Sequence, residues 1–212
     1  MARRTKAEAE QTRRMILAAA LDLFAAKGYE LTTLDDVARR IRLTKGAVYW
    51  HFKSKTALFD ELVSSQSEKH GAQIARDLPD PTCLSDVPGF FSEWTRLIAT
   101  SSANRKFFRM MMSLWWMEKK SEAIQFRLSQ MEKTFFSNIE NMLRHLQRKG
   151  EIRPDADLAA VARVLGALWI GFTAFQLNCD SGAKWLRTIG LGFDAVVCAV
   201  GGNRFKSEEK RE

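Results

Sequence analysis

Helical spacing of apolar residues runs through almost the whole chain and constrains its fold more than any other feature. In the first predicted helix, apolar side chains recur at Ile16, Leu17, Ala20, Leu21 and Phe24, which places them on one helix face. Strand-like alternation is scarce, and the 212 residues contain only four prolines. The sequence therefore predicts an all-α fold.

Residues that favour caps and turns set the boundaries of the predicted helices. Gly28 ends the first helix, and Thr33, Thr44 and Ser54 are placed to cap the next three, with Asp36 as the capping-box partner of Thr33. The fourth helix is expected to end near residue 76. Further helices are predicted at about residues 88–101, 104–118, 121–149, 157–177 and 183–200.

A cluster of prolines at residues 79–88 predicts a break between two domains. We expect an N-terminal three-helix helix-turn-helix domain over residues 1–55 and a larger C-terminal helical domain over residues 56–205. The fourth helix, at 54–76, should bridge the two domains. The polar residues 206–212 should form a disordered tail.

Positive charge is concentrated in the N-terminal quarter of the chain. Residues 1–55 contain 12 Lys and Arg against 6 Asp and Glu, a net charge of +6, whereas the whole chain carries +8. This distribution predicts a polyanionic partner for the N-terminal domain, such as nucleic acid. There is no uninterrupted apolar run of about 18 residues and no signal-peptide pattern, so we expect a cytoplasmic protein without membrane contact.

Residue types needed for catalysis or metal binding are not grouped in the sequence. The histidines His51, His70 and His145 lack metal-ligand spacing, and no glycine-rich phosphate loop is present. We therefore expect no enzyme activity, no metal and no cofactor. The three cysteines are widely spaced and are expected to be reduced, mostly buried thiols.

The second and third predicted helices are separated by a very short turn around Arg42, which is the spacing of a helix-turn-helix unit. In such a unit the second helix lies in the major groove with its first residues at the base edges. Those residues here are Thr44, Lys45, Gly46 and Ala47. Lys45 can donate to guanine O6 or N7, and Gly46 lets the backbone approach the DNA closely.

Polar side chains around the third helix are suited to phosphate contacts, which position a protein on DNA without reading its sequence. The candidates are the hydroxyls of Thr33 and Tyr49, the His51 ring and the Lys55 ammonium at the start of the fourth helix. Trp50 could stack on sugar and phosphate or pack locally. His51 could serve only as a helix-end cap.

The same segment carries a longer pattern, which is Thr44-x-Gly46-x-x-Tyr49-x-His51-Phe52-x-x-Lys55-x-x-Leu58, preceded by Thr33-x-x-x-Val37-Ala38. With these residues, residues 10–65 resemble the N-terminal domain of the TetR/AcrR family of bacterial transcriptional regulators. The Val48–Lys53 segment is most similar to regulators of multidrug efflux pumps. The resemblance implies an all-helical homodimer, usually a repressor, that leaves its DNA when a small hydrophobic ligand fills the C-terminal domain. It also implies base contacts by Thr44, Lys45 and Gly46 and phosphate contacts by Thr33, Tyr49, His51 and Lys55.

The turn departs from the family at one position, because Arg42 stands where the family usually has glycine. A left-handed conformation at this position would be strained for arginine. Either the turn has a different geometry, or Arg42 is tolerated because it contacts a phosphate.

Aromatic residues and methionines dominate the C-terminal part of the chain, where five of the six tryptophans and six of the eight methionines lie beyond residue 90. Such residues form plain core more often than a binding site, but they also line drug-sized pockets, and the resemblance implies a pocket here. Its apolar candidates are Phe90, Trp94, Met111, Trp115, Phe135 and Trp169, and its polar candidates are Glu68, Asn138 and Gln176.

The last two helices contain many small and apolar residues, which are Ala159, Ala162, Leu165, Gly166, Leu168, Gly171, Ile189, Gly190, Phe193, Val196, Val197 and Val200. The resemblance implies that these helices form a four-helix dimer interface. The alternative is that they form core within one chain. A two-fold dimer would hold two recognition helices about 34 Å apart or more, which suits an inverted repeat of double-stranded DNA.

The leading hypothesis is a ligand-responsive repressor of an efflux or transport operon. One alternative is a helical protein-interaction module whose basic face binds acidic partners. Another is a nonspecific DNA-binding protein of the nucleoid type.

Overall fold

The computed structural model of the protein describes residues 6–178 and 182–202, without the side chains of residues 182–186. Within these ranges the chain folds into nine α-helices and one isolated β-bridge, which confirms the all-α prediction. The predicted helix boundaries agree with the structure to within about one helical turn. The predicted disordered tail at 206–212 lies outside the described residues.

The helices are, in chain order, α1 (Lys6–Lys27), α2 (Leu34–Arg40), α3 (Lys45–His51), α4 (Lys55–Asp77), α5 (Asp86–Thr100), α6 (Ser102–Trp115), α7 (Glu122–Arg148), α8 (Leu158–Asn178) and α9 (Gly182–Val200). The three predicted caps are confirmed. The hydroxyls of Thr33, Thr44 and Ser54 accept hydrogen bonds from backbone N–H groups three residues later, at 3.1, 3.2 and 3.0 Å. Local hydrogen bonds therefore start α2, α3 and α4 where the sequence predicts.

The chain divides into two compact units, and neither is a continuous stretch. The first unit contains the chain up to His70 together with residues 102–127, and the second contains residues 71–101 and the chain from Leu128 onward. Helix α6 therefore groups with α1 to α3 and with α4 up to His70. The domain boundary after residue 55 remains a prediction.

The core of the first unit joins α1 to α4 through aromatic rings. The Tyr29 ring packs between Phe24 and Phe59, with centroid distances of 5.2 and 5.1 Å, and all three side chains are buried. Helix α6 joins this unit through α1, because Lys106 Nζ lies 2.7 Å from Asp22 Oδ1. Each fully buried aromatic ring contributes about 1.5–3 kcal/mol to folding stability, so this core stabilises the unit that carries α2 and α3.

The core of the second unit is formed by α5, α8 and α9. The Phe91 and Phe193 rings stack at 4.6 Å between centroids, and the Thr95 and Thr173 hydroxyls share a buried hydrogen bond of 3.2 Å. Helix α8 is long and apolar enough, by length and composition, to span a membrane, but Arg163 interrupts it. Its Trp169 and Thr173 are buried inside the unit, as in the core helix of a globular protein.

Candidate nucleic-acid interface and ligand site

Helix α2 ends in a Schellman motif that sets the turn before α3. The Leu43 N–H donates to the Ala38 carbonyl at 2.9 Å, and the Arg42 N–H donates to the Arg39 carbonyl at 3.2 Å. Arg42 has a φ of 56°, in the left-handed region. The glycine-type turn is therefore present without glycine, at a conformational cost of about 1–2 kcal/mol.

The side of α3 that was predicted to meet DNA is open to solvent. Its exposed residues are Thr44, Lys45, Gly46, Tyr49 and Trp50, whereas Ala47 is half-buried and Val48 is fully buried against the rest of the unit. The Trp50 side chain is 68% exposed and meets the half-buried His51 ring edge-on at a centroid distance of 4.6 Å. Trp50 is thus not a core residue.

The cap hydroxyls of Thr33 and Thr44 each accept a backbone hydrogen bond. This bond uses an oxygen lone pair, so the O–H proton can still be donated to a phosphate or a base acceptor. Capping and DNA contact are therefore compatible at both residues.

Lys45 is held at the junction of α2 and α3. Its Nζ lies 3.0 Å from Asp35 Oδ2 and 5.6 Å from the centroid of the Tyr49 ring. The hydrogen bond to Asp35 raises the pKa of Lys45 above its ordinary value, so the side chain is cationic throughout the physiological range.

Lys55 makes contacts within the unit that its place in the sequence does not indicate. Its ammonium donates to the carbonyls of Tyr29 and Glu30 at 3.0 and 3.1 Å and lies 4.3 Å from the centroid of the Tyr29 ring. Two of its three N–H donors therefore hold the start of α4 against the α1–α2 turn, and the Glu30 carboxylate lies 3.9 Å from the same ammonium.

Arg13 is a further residue of the site that was not predicted. Its guanidinium forms a bidentate ion pair with Glu61 on α4, lies 4.7 Å from the centroid of the Phe52 ring, and donates to the His51 carbonyl at 3.5 Å. Arg13 thus ties α1 to α4 and to the C-terminal end of α3. No sequence pattern indicated it, because its partners lie 38 and 48 residues away.

Four of the predicted ligand-site residues form one cluster of rings in the second unit. The Trp94 ring lies 5.9, 5.8 and 4.2 Å, between centroids, from the rings of Phe90, Phe135 and Trp169. Gln176 follows Trp169 by seven residues on α8 and so lies on the same helix face. Its Oε1 atom is buried and has no hydrogen-bond partner among the described residues.

Three of the remaining predicted ligand-site residues belong to the first unit, and the fourth is an exposed residue of α7. Met111, Trp115 and Glu68 belong to the first unit, where Met111 is buried in α6 and Trp115 is half-buried. The side chains of Glu68 and Asn138 are exposed to solvent. Four of the five aromatic candidates therefore lie together in the second unit, whereas Trp115 and the Glu68 carboxylate lie in the first.

The apolar residues of α8 and α9 fall into two sets. Leu165, Gly166, Phe193 and Val197 are buried within the chain. A Cβ atom at Gly166 would lie 2.5 Å from Phe136 Cε1, so ring packing inside the unit requires this glycine. These four belong to the set for which a dimer interface and a core within one chain were both considered, and in the structure they are core, whereas Gly171 of the same set is exposed.

A second apolar set on the same helices is exposed. On α8 it contains Val164, Ala167, Gly171 and Phe175, and on α9 it contains Leu191, Ala195 and Cys198. We call this set the α8–α9 exposed face. The expectation of mostly buried thiols is wrong here, because Cys198 is exposed and Cys83 is half-buried, while Cys179 lies outside the described residues.

Comparison with known proteins gives the family. Residues 16–62 match the bacterial regulatory proteins of the tetR family, and residues 94–178 match the C-terminal domain of BetI-type transcriptional repressors. The HTH-type transcriptional regulator SrpR of Pseudomonas putida is 32% identical over 197 residues, which cover 91% of this chain and 87% of SrpR. The chain belongs to the TetR family. This match confirms the resemblance stated from the sequence. Members of the family are DNA-binding transcriptional regulators and not enzymes.

Two further relatives add detail to the TetR-family comparison. The HTH-type transcriptional regulator AcrR of Shigella flexneri is 50% identical over 62 residues, 29% of each chain. The structure of SmeT, the repressor of the Stenotrophomonas maltophilia multidrug efflux pump SmeDEF, superposes with a TM-score of 0.69 over 90% of this chain and 91% of SmeT, at 24% identity. The fold is therefore a TetR-family fold over nearly the whole chain.

Proposed function

We propose that this TetR-family repressor controls an efflux or transport operon and leaves an inverted-repeat operator when a small hydrophobic ligand binds. The observation that carries the proposal is the exposed side of α3, with Lys45 and Gly46 at its N-terminus, presented by a helix-turn-helix of TetR type. SmeT is the repressor of a multidrug efflux pump, and this supports an efflux operon as the target. The protein acts in the cytoplasm without membrane contact.

The proposed base contacts are those of Thr44, Lys45, Gly46 and Ala47 at the start of α3. The proposed backbone contacts come from residues around them, which are Thr33, Arg42, Tyr49, Trp50, His51 and Lys55. Base contacts read sequence, whereas phosphate contacts position the helix, so the two groups should respond differently to a change of DNA sequence.

Binding to duplexes from the region upstream of the gene tests the operator contact. Lys45→Ala should weaken binding to the preferred inverted repeat by about 1–3 kcal/mol per half-site and relax base preference at one position. Lys69→Ala removes the same charge from an exposed position on α4 and should have little effect. An equal loss for Lys45→Ala on random DNA would contradict a base contact, and absence of binding to any inverted repeat would refute the proposed function.

The proposed ligand site is the ring cluster of Phe90, Trp94, Phe135 and Trp169 together with Gln176. Leaving a buried acceptor unpaired costs about 1–3 kcal/mol, so a ligand that donates a hydrogen bond to Gln176 Oε1 recovers this free energy. We therefore expect an aromatic ligand with one O–H or N–H donor. The rings supply most of the affinity, and Gln176 supplies the discrimination.

A matched pair of ligands tests the Gln176 contact. Phenols should release operator DNA at lower concentration than their methyl ethers, because only the phenols donate a hydrogen bond. Gln176→Leu should abolish this preference without lowering the folding stability, since it removes the unpaired acceptor. A preference that persists in Gln176→Leu would place the ligand elsewhere.

Ligand release of DNA requires different ligand affinities for the DNA-bound and DNA-free states. We expect α4 to tilt and to displace α3, with the Arg13–Glu61 ion pair as one link between the two helices. A ligand with the same Kd for free protein and operator complex would not be the inducer.

The dimer is proposed to form through the α8–α9 exposed face. Leu191 is 69% exposed on α9, and a carboxylate buried there would be strongly unfavourable, so Leu191→Glu should give monomers with weak operator binding. Phe126→Glu is the matched control, because Phe126 is 65% exposed on α7 outside this face. Sedimentation velocity measures the mass, and a Leu191→Glu dimer would contradict the assignment.

A further inference from the structure

Asp35 lies beside the lysine that is proposed to read bases. It occupies the first turn of α2, and its Oδ2 is 3.0 Å from Lys45 Nζ. The Tyr49 ring lies on another side of the same ammonium, with its centroid 5.6 Å away. The Lys45 ammonium is therefore held at one point between α2 and α3, although its side chain is 63% exposed.

The capping of α2 is supplied by another residue. Asp36 accepts a hydrogen bond from the Thr33 backbone N–H at 2.9 Å and pairs with Lys27 and Arg39. Asp35 is not needed for this capping box. An ion pair as exposed as that of Asp35 and Lys45 adds little to folding stability, so its main effect is on the position of Lys45.

We propose that Asp35 is a specificity-determining residue that presents Lys45 to bases and withholds it from phosphates. An ammonium has three N–H donors, so Lys45 can keep one on Asp35 while it donates the others to guanine O6 and N7. A phosphate of non-cognate DNA that approaches Lys45 also meets the Asp35 carboxylate, and the two anions repel each other, whereas a guanine edge is uncharged. A repulsive element of this kind weakens binding to the wrong partner more than binding to the right one.

The role of Asp35 rests on the proposed base contact of Lys45. The proposal adds a carboxylate to a DNA interface that was identified by its basic residues. In the sequence Asp35 looks like any carboxylate on a solvated helix face, and its 3.0 Å contact with Lys45 is what places it in the proposed interface.

The test compares the full-length protein with its Asp35→Asn variant, which keeps the side-chain shape and removes the charge. One duplex is the best binder that the wild type selects from a random-sequence pool, and the other is a shuffled duplex of equal composition. Asp35→Asn should bind the shuffled duplex about two- to fivefold more tightly per half-site, with a salt dependence steeper by about 0.9 in log K against log salt. Affinity for the selected duplex should stay equal or fall, so the specificity ratio decreases.

Two further variants separate this role from a simple gain of positive charge. Asp60→Asn makes the same charge change on α4 and should leave the specificity ratio unaltered. In a Lys45→Ala background, Asp35→Asn should no longer change the ratio. Equal effects of Asp35→Asn with and without Lys45 would overturn the proposal, as would a large fall in the Tm of Asp35→Asn.

The proposed base contact can fail separately from the role of Asp35. If Lys45→Ala alone leaves the discrimination between the two duplexes unchanged, Lys45 does not read bases. If Lys45→Ala lowers the discrimination but Asp35→Asn does not, the base contact stands and the specificity role of Asp35 is wrong.

Discussion

Gly46→Ala is expected to change folding stability and DNA affinity in opposite directions. Gly46 lies in the first turn of α3 with a backbone conformation open to any residue, and a Cβ atom at this position would meet nothing within 4 Å. The free protein therefore has room for alanine. Packing within the protein therefore does not require glycine at this position, and we attribute it to contact with DNA.

The two magnitudes follow from general values for glycine and for steric overlap. Glycine inside a helix is less favourable than alanine by about 0.8–1.0 kcal/mol, and somewhat less near a helix end, so the variant should be more stable by about 0.5–1 kcal/mol. In a chain of this size that raises the Tm by about 1–4 °C. If the backbone of α3 touches the DNA, the added methyl group forces the surfaces apart and weakens binding by about 1–3 kcal/mol per half-site.

Thermal unfolding and fluorescence-anisotropy titration with the selected duplex measure these two effects. Gly89→Ala is the matched control, because Gly89 is also exposed in a helix, has open space where a Cβ atom would lie, and belongs to the second unit. The control should gain stability and keep its DNA affinity. A Gly46→Ala variant that is more stable and binds like the wild type would refute close backbone approach, and a less stable one would refute the packing reasoning.

Three further substitutions test the helix-turn-helix. Arg42→Gly should raise the free energy of unfolding by about 1 kcal/mol by relieving the left-handed residue, while the loss of one phosphate contact in each half-site makes the slope of log K against log salt shallower by about 0.9 per half-site. Trp50→Ala should change the free energy of unfolding by less than about 0.5 kcal/mol, because the ring is exposed, but should weaken operator binding in the anisotropy titration. Asp36→Asn should have a lower Tm than the wild type at neutral pH, and the two Tm values should converge in acid. Hydrogen bonds from Lys27 and then from Thr33 hold the pKa of Asp36 well below its ordinary value, so its stabilisation is present above about pH 4 and is lost as the pH falls further.

Each of these three predictions has an opposing outcome. An unchanged salt dependence in Arg42→Gly would remove Arg42 from the phosphate contacts. A large destabilisation by Trp50→Ala would mean that the ring packs against the protein. A difference in Tm between Asp36→Asn and the wild type that stays constant from pH 7 to about pH 2 would show that the carboxylate charge is not responsible.

Helix positions and caps were predictable because they depend on residues close together in sequence. The Thr33, Thr44 and Ser54 caps each bond to a backbone N–H three residues away, and the apolar spacing of α1 is local as well. The pattern from Thr44 to Leu58 likewise lies within one short segment, and the family comparison confirms the TetR-family resemblance that it indicates.

The turn at Arg42 shows where local reasoning was insufficient. From the sequence alone, arginine at a glycine position left two geometries open. The Schellman hydrogen bonds at Arg42 and Leu43, with buried Val37 and Val48 on either side, hold the left-handed conformation despite its cost. Packing of the whole unit outweighs the preference of one residue.

Contacts between distant residues could not be predicted at all. The Arg13–Glu61 pair and the Lys55 contacts with Tyr29 and Glu30 join groups 48, 26 and 25 residues apart, and a lysine or arginine has many possible partners in a sequence. The pairing of Lys45 with Asp35 belongs to the same class, because it depends on how α2 is placed against α3.

By itself, the sequence determined the helices, their caps, the DNA-reading segment and the family, because each rests on spacing within a short stretch. The tertiary structure decided which apolar face of α8 and α9 is core and which is open. Both faces are apolar in sequence, and stacking of Phe193 on Phe91, with ring packing at Gly166, turns one of them inward. The α8–α9 exposed face, which includes Leu191, is exposed because the opposite face packs inside the unit. No local sequence feature distinguishes the two faces.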